Sequence, residues 1–411
     1  MSFRTYCFGI LMLVAAFLSG EVFAPAQVPT DFTLWKDAQN AENVPEMARR
    51  MLASRDFRDL TGTAREELLA NTLSGLADIA SDSQIVPSTR YNAILAIGQL
   101  ESRPGTPPAA YPAALIVLVD AYQKADTPHY LKCGALLGIV RHAICGIDPV
   151  QQDKIIDLLL ETATTEFVAG EGEPLEPMIV DWFRLSALDG LSALKTVGTD
   201  GNVATTLLSV MNQKSQELEN LCRLENTLTR ENWEQSCRTS ELASKVAKTL
   251  GDLDYKSASG IDTQKMTDAF IRLTKAVCDV KGKIAADFLE QERTTPEPAI
   301  LLEQIVLHVK MCTQSVIWGG RSGILTNRPS ENSFYASLEK DEPAIKRLDV
   351  LLSEVRTLTT FFDEGEKSRR SAAIANFPQA FRFDLSELRD ALEKCSEALT
   401  EVLEIEQANA K

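Results

Sequence analysis

The sequence predicts an all-α protein, an α-solenoid of stacked helix pairs followed by a C-terminal helical bundle. Three observations carry that expectation. Part of the chain repeats at a shift of 42 residues, and the last third spaces its apolar residues three and four apart. No run shows the sustained alternation of a half-buried strand, so no sheet is expected.

Composition sets the outer limits. The 411 residues are 45% hydrophobic and 24% charged, enough to bury a core, and the length suits two or three domains. With 42 Lys plus Arg against 58 Asp plus Glu, the formal charge is −16. That balance argues against nucleic acid as a partner, because no basic stripe is available for phosphate. Three histidines are too few for a His-rich metal protein.

Residues 1–26 read as a secretory signal peptide. Arg4 is followed by the apolar run Tyr6–Leu18 and by the small-residue site Ala24-Pro25-Ala26. The run is shorter than the ~20 residues a spanning helix needs. An uncleaved N-terminal anchor is the alternative. No later stretch reaches 18 uninterrupted apolar residues, so the mature chain is expected not to span a membrane and to be periplasmic or secreted. Export permits disulfides. Cys133, Cys145, Cys222, Cys237, Cys278, Cys312 and Cys395 remain, an odd number. Cys133 and Cys145 fall on one helix about 18 Å apart, too far to bridge. Cys222 and Cys237 form the most plausible local pair, and buried thiols are the expectation for most of the rest.

Residues 27–62 are expected to cap the stack with one or two helices, and 63–260 to form the repeats. Arg90-Tyr91-Asn92-Ala93-Ile94-Leu95-Ala96-Ile97-Gly98 aligns with Lys132-Cys133-Gly134-Ala135-Leu136-Leu137-Gly138-Ile139-Val140. Leu73, Leu76 and Asp78 correspond to Leu115, Leu118 and Asp120 at the same shift. A third copy runs from Asp181 to Leu191 after an acidic insertion around Gly170-Glu171-Gly172-Glu173-Pro174, and a weaker fourth starts at Lys245. Thr63-Ala64-Arg65-Glu66 reads as a capping box, Pro87 and Pro128 as first-turn prolines, and Pro104, Pro107 and Pro108 as breaks. Helix pairs are expected near 64–80 with 88–101, 110–125 with 128–144, 149–165 with 177–196, and 202–222 with 232–253.

This pattern of a basic residue, an Ala three later and a small pair resembles the HEAT-like helical repeat family over about residues 63–253. The resemblance implies a solenoid whose small residues let helices approach closely, and says little about function. It also implies that Arg90, Lys132 and Arg184 pair with acidic residues of adjacent repeats, as a structural ladder. The third repeat departs through its insertion, and the fourth lacks Arg at the usual place.

From Asp262 onward four seams appear: Met266 to Ile284, Leu302 to Val316, Ile345 to Phe362, and Leu385 to Val402. They predict a four-helix bundle over 261–411. Continuation of the solenoid by two larger repeats is the rival architecture.

No catalytic set, cofactor motif or metal set assembles. Glu303 and His308 are five apart and miss the Glu-x-x-His spacing of carboxylate-bridged metal bundles. His308 is expected to have a partner at a helix surface. His129 and His142 lie near opposite ends of one helix and read as structural. Gly319-Gly320-Arg321-Ser322-Gly323 lacks the Gly-Lys-Ser/Thr ending of a phosphate loop and reads as a helix end at Trp318, with Arg321 the one plausible anion contact. Glu166, Glu171, Glu173 and Glu176 lack the spacing of a calcium loop and read as solvated. Lys367, Arg369 and Arg370 read as a solvated turn, and Trp182 with Phe183 as packing. The expectation is therefore an exported, non-enzymatic scaffold that binds a protein partner through its helical surface, with residues 261–411 offering a homo-oligomer contact. The alternative is a catalytic or small-ligand protein using a pocket between solenoid and bundle.

Overall fold

Proline and acidic or hydroxyl caps set where the helices begin. The computed structural model describes residues 44–53, 59–105, 108–165, 175–256, 261–291, 298–321, 333–338, 342–374 and 383–409. The expected signal segment and most of the N-terminal cap lie outside them. The described residues are almost entirely helical, so the protein is all-α.

The chain divides after Val117 into two compact units. The first contains α1 (Val44–Ala53), α2 (Gly62–Ser81), α3 (Pro87–Gly98) and the start of α4 (Pro112–Gln123). Helices α1 and α2 both pack on α3. Pro87 occupies the first turn of α3, as expected, where its missing N–H costs nothing. The expected capping box does not form. Thr61 rather than Thr63 precedes α2, and its side chain makes no cap hydrogen bond.

The expected absence of any sheet is also corrected. β1 (Glu101–Arg103) and β2 (Ala109–Ala110) form a short antiparallel ribbon. Its support comes from side chains: Arg65 Nε and Nη2 donate to the carbonyls of Ser102 and Glu101 at 2.8 and 2.6 Å. Strands of three and two residues are too short to carry a periodic signal.

The second unit, Leu118–Lys411, holds the rest. It comprises α5 (His129–Cys145), α6 (Pro149–Thr164), α7 (Pro177–Leu194), α8 (Asn202–Cys222), α9 (Arg230–Asp252), α10 (Thr263–Glu290), α11 (Pro298–Arg321), the one-turn α12 (Phe334–Ser337), α13 (Glu342–Ile374) and α14 (Leu385–Asn409). Side chains of Asp148, Thr229 and Asp262 cap α6, α9 and α10. At α14, Asp384 accepts from the Glu387 N–H while Glu387 accepts from the Asp384 N–H, a reciprocal capping box.

Packing runs in two layers. One layer joins α5 to α7, α7 to α9, α9 to α11 and α11 to α13; the other joins α6 to α8, α8 to α10 and α10 to α14. Residue 261 is crossed by direct packing of α8 on α10 and of α9 on α11. The small repeat positions Ala135, Gly138, Ala187, Gly190 and Ala247 are all buried. So are the seam residues Phe270, Val277, Ile305, Val309, Leu352, Phe362, Leu392 and Leu399.

Glycines in α11 serve this packing. The helix does not end at Trp318 but runs through Gly319 and Gly320 to Arg321. Gly319 lies against the Ala247 carbonyl of α9, and Gly251 of α9 lies against Trp318 and Gly319. By length and composition α11 could cross a membrane, with a mean hydropathy of 1.3 over Pro298–Gly320, and half of that stretch is buried within the unit.

Candidate functional site

The reactive side chains of the second unit converge where α9, α10 and α11 meet. Lys281 of α10 is fully buried, four residues beyond Val277 and three before Ile284, so it occupies the apolar seam of its helix. Its Nζ donates to Ser236 Oγ at 3.1 Å and lies 3.8 Å from Cys237 Sγ, both on α9. The ammonium position also sits 4.8 Å from the centre of the Trp233 ring. From α11, His308 Nδ1 lies 3.9 Å from Cys237 Sγ, and the His308 ring meets Trp233 edge to face.

Electrostatics in this nest favour neutral groups. Burial pushes the Lys281 amine below its ordinary range, with the neighbouring Cys237 opposing. Burial pushes the Cys237 thiol up, with Lys281 opposing. His308 is pushed down to about 4 by burial and then by Lys281. Its Nδ1 lies 2.8 Å from the Gln304 carbonyl, which can only accept, so Nδ1 carries the proton. His308 therefore cannot take a proton from Cys237 through that nitrogen. The base within reach of the thiol is Lys281.

A second polar set cross-braces the layer that contains α7 and α9. Asp181 lies 3.7 Å from both Arg184 of its own helix and Arg238 of α9, and Asp189 pairs with Lys245. Burial raises Asp181, and the two arginines oppose that shift. At the other end of these helices, Asp252 of α9 accepts from Ser192 of α7 and, at 2.6 Å, from Trp318 Nε1 of α11. These pairs, with Cys237 beside His308 and Gly251 beside Gly319, show that α7, α9 and α11 run parallel.

The basic repeat positions do different work from the expected ladder. Arg90 donates to the Ala80 carbonyl and Arg184 to the Thr165 carbonyl, so each satisfies the open C-terminal end of the preceding helix. Lys245, the equivalent of the fourth copy, pairs with an acidic residue of the preceding pair. For Lys132, burial lowers the amine and Asp126 opposes the shift.

Other expected residues are placed as follows. The Arg321 side chain lies outside the described residues, as do Glu166, Glu171, Glu173 and the side chains of Lys367, Arg369 and Arg370. Glu176 is the residue before α7. His129 opens α5 and the buried His142 lies in its last turn, pushed down to about 4 by burial and Arg141. Trp182 and Phe183 pack edge to face at 5.3 Å, and Phe183 is fully buried near Tyr122.

The seven cysteines among the described residues are free thiols. Cys222 faces Asp279, Lys275 and Lys283, whereas Cys237 faces Lys281 and His308, so the pair marked as a local bridge looks into different surroundings. Among the described residues no three His, Cys, Asp or Glu side chains are grouped to hold a metal ion. Two open grooves are lined by residues of α13 and α14, and Lys281 lines neither. One of about 670 Å³ passes Asp349, Arg356 and Glu364, and one of about 350 Å³ passes Glu354, Glu387 and Lys394.

Lys281 does not stand out in the sequence, because the apolar residues Val277, Val280 and Ile284 alone define the seam. Its spacing from Val277 and Ile284 was the available signal. No family model, curated protein or solved structure matches the chain.

Proposed function

We propose that the protein is an exported, non-enzymatic protein-binding scaffold of HEAT-like character, which recognises its partner on the open side of the helix layer formed by α7, α9 and α11. The observation that carries this reading is the exposure of large apolar side chains on two parallel helices of one layer, α7 and α11, on either side of α9. Met178 of α7 is 49% exposed, and Ile300 and Leu307 of α11 are 47% and 63% exposed. All three lie in the N-terminal halves of helices whose other side packs on the second layer. Extended rows of this kind suit protein partners, since each helix adds contact area without requiring an enclosed pocket. The surplus of negative charge favours a partner with a basic rim. Export rests on Arg4, the Tyr6–Leu18 run and the Ala24-Pro25-Ala26 site.

Affinity capture from native envelope extract tests this, with the full chain and the Ile300→Asp/Leu307→Asp double variant as baits. A stoichiometric protein held by the first and lost by the second, both being folded by circular dichroism, supports the reading. Retention by the variant, or no stoichiometric partner, overturns it.

A second reading, a catalytic or small-ligand protein, is favoured by the Lys281–Cys237–His308 nest. It requires ligand entry to a fully buried amine, and a small aldehyde trapped on Lys281 by borohydride would support it.

A further inference from the structure

We propose that Cys237 and Lys281 are a modification site, at which hydrogen peroxide drives formation of a covalent sulfur–nitrogen bond between α9 and α10. This goes beyond the scaffold reading and does not depend on it. Four observations meet at this pair. Nζ and Sγ are 3.8 Å apart, within the reach of small side-chain rotations. Lys281 is fully buried and its hydrogen bonds go to Ser236 Oγ and Cys237 Sγ, so no carboxylate holds it as an ammonium. Cys237 is half-buried, so its residue lies nearer solvent than the fully buried Lys281, on the side from which a small oxidant would arrive. The neighbour of the Cys237 sulfur is an amine rather than a second thiol, because Cys222 faces Asp279 and Lys275, and Cys278 lies beside Cys395.

The chemistry balances in two steps. Sulfur attacks one peroxide oxygen as Nζ takes the thiol proton; the O–O bond breaks, and the second oxygen leaves as water with that proton. Cys237 is then a sulfenic acid, two electrons more oxidised. The Nζ lone pair next attacks sulfur, the S–OH bond breaks, and hydroxide leaves as water with a proton from the amine. The net change is thiol plus amine plus hydrogen peroxide giving a sulfenamide and two waters. Sulfenic acids condense in this way with a nearby nitrogen, and the link reverses on reduction by thiols. Burial supports both roles of Lys281, because lowering the amine favours the neutral form that acts as base and then as nucleophile.

Peptide mapping tests the proposal. The purified full chain is treated with hydrogen peroxide, remaining thiols are alkylated, and the protein is cut with trypsin without reductant. Trypsin cannot cut after a lysine whose nitrogen is bonded to sulfur. The expected product is residues 231–238 joined to 276–283, with the Lys281–Gly282 bond intact and two hydrogens missing, and it disappears on treatment with dithiothreitol. A disulfide to Cys278 would instead join 231–238 to 276–281, with that bond cut. In Lys281→Met, whose side chain suits an apolar seam, the linked peptide is lost and Cys237 proceeds to sulfinic acid. The disulfide product, sulfinic acid at Cys237 of the wild type without the linked peptide, or an unmodified Cys237 would each overturn the proposal.

Discussion

Two glycines in neighbouring helices should respond to the same substitution with opposite signs. A Cβ on Gly319 would stand 2.5 Å from the Ala247 carbonyl oxygen and 2.7 Å from the Phe270 ring. Ordinary contact begins near 3.4 Å, so α9 and α11 must separate by roughly 0.9 Å, and neither a helix carbonyl nor a fully buried ring can swing aside. A gap of that size forfeits a quarter to a half of the dispersion energy of the contacts it opens. Overpacking of this type costs about 1–3 kcal/mol, against about 1 kcal/mol gained from replacing glycine in a helix. Gly319→Ala should therefore lose stability, by about 1 kcal/mol net and at most about 2 kcal/mol. In α10, a Cβ on Gly282 would meet only Leu392, at 3.8 Å. Gly282→Ala should gain about 0.5–1 kcal/mol. Urea unfolding reads both as shifts of the midpoint at constant slope. A Gly319→Ala protein as stable as the wild type would refute the close approach of α9 and α11, and a Gly282→Ala protein destabilised to the same degree would refute the open space beside α10.

Lys281→Met should stabilise the fold by about 1 kcal/mol or more at pH 7, because it removes an amine that must be charged when unfolded and is buried without a carboxylate when folded. The folded amine is lowered from 10.5, so wild-type stability recovers as pH rises toward that value, and denaturation at pH 7 and pH 10 should show the variant's advantage shrinking. His142 is buried and lowered to about 4 from 6.5, so its stabilisation is complete above pH 6.5 and lost as pH falls toward 4. That loss should approach about 3 kcal/mol, and denaturation midpoints of His142→Leu should be flatter across this window. Arg65→Ala should destabilise the first unit by about 2–3 kcal/mol, since two charged hydrogen bonds to ribbon carbonyls disappear. Limited proteolysis with a glutamate-specific protease should then cut faster after Glu101, in the ribbon that Arg65 supports.

The positions of helices in the repeat region were legible because several independent signals agree there. Pro87, Pro149 and Pro177 each stand in a first turn, and the apolar periodicity ends near the caps. The expected 202–222 helix is Asn202–Cys222, and 149–165 is Pro149–Thr164. What failed was tertiary in origin. Thr63 fitted a capping pattern, but the chain enters α2 at Gly62. Gly319 and Gly320 fitted a helix end, while their use is to let another helix approach. The family resemblance implies carboxylates of adjacent repeats as partners for Arg90 and Arg184, whereas the open carbonyls ahead of them are the acceptors they reach. The candidate site was legible only in part. In the sequence Cys222 is the plausible local partner of Cys237, and His308 is expected to have a partner at a helix surface; 71 residues separate Cys237 from His308, and nothing local shows that α9 and α11 lie side by side.

Amide hydrogen exchange on the full chain, with and without the partner isolated by capture, tests the scaffold reading most directly. Slower exchange is expected in the N-terminal halves of α7, α9 and α11, centred on segments that include Met178, Trp233 and Leu307. Protection confined to α13 and α14, or exchange identical in the free and bound protein, would contradict it.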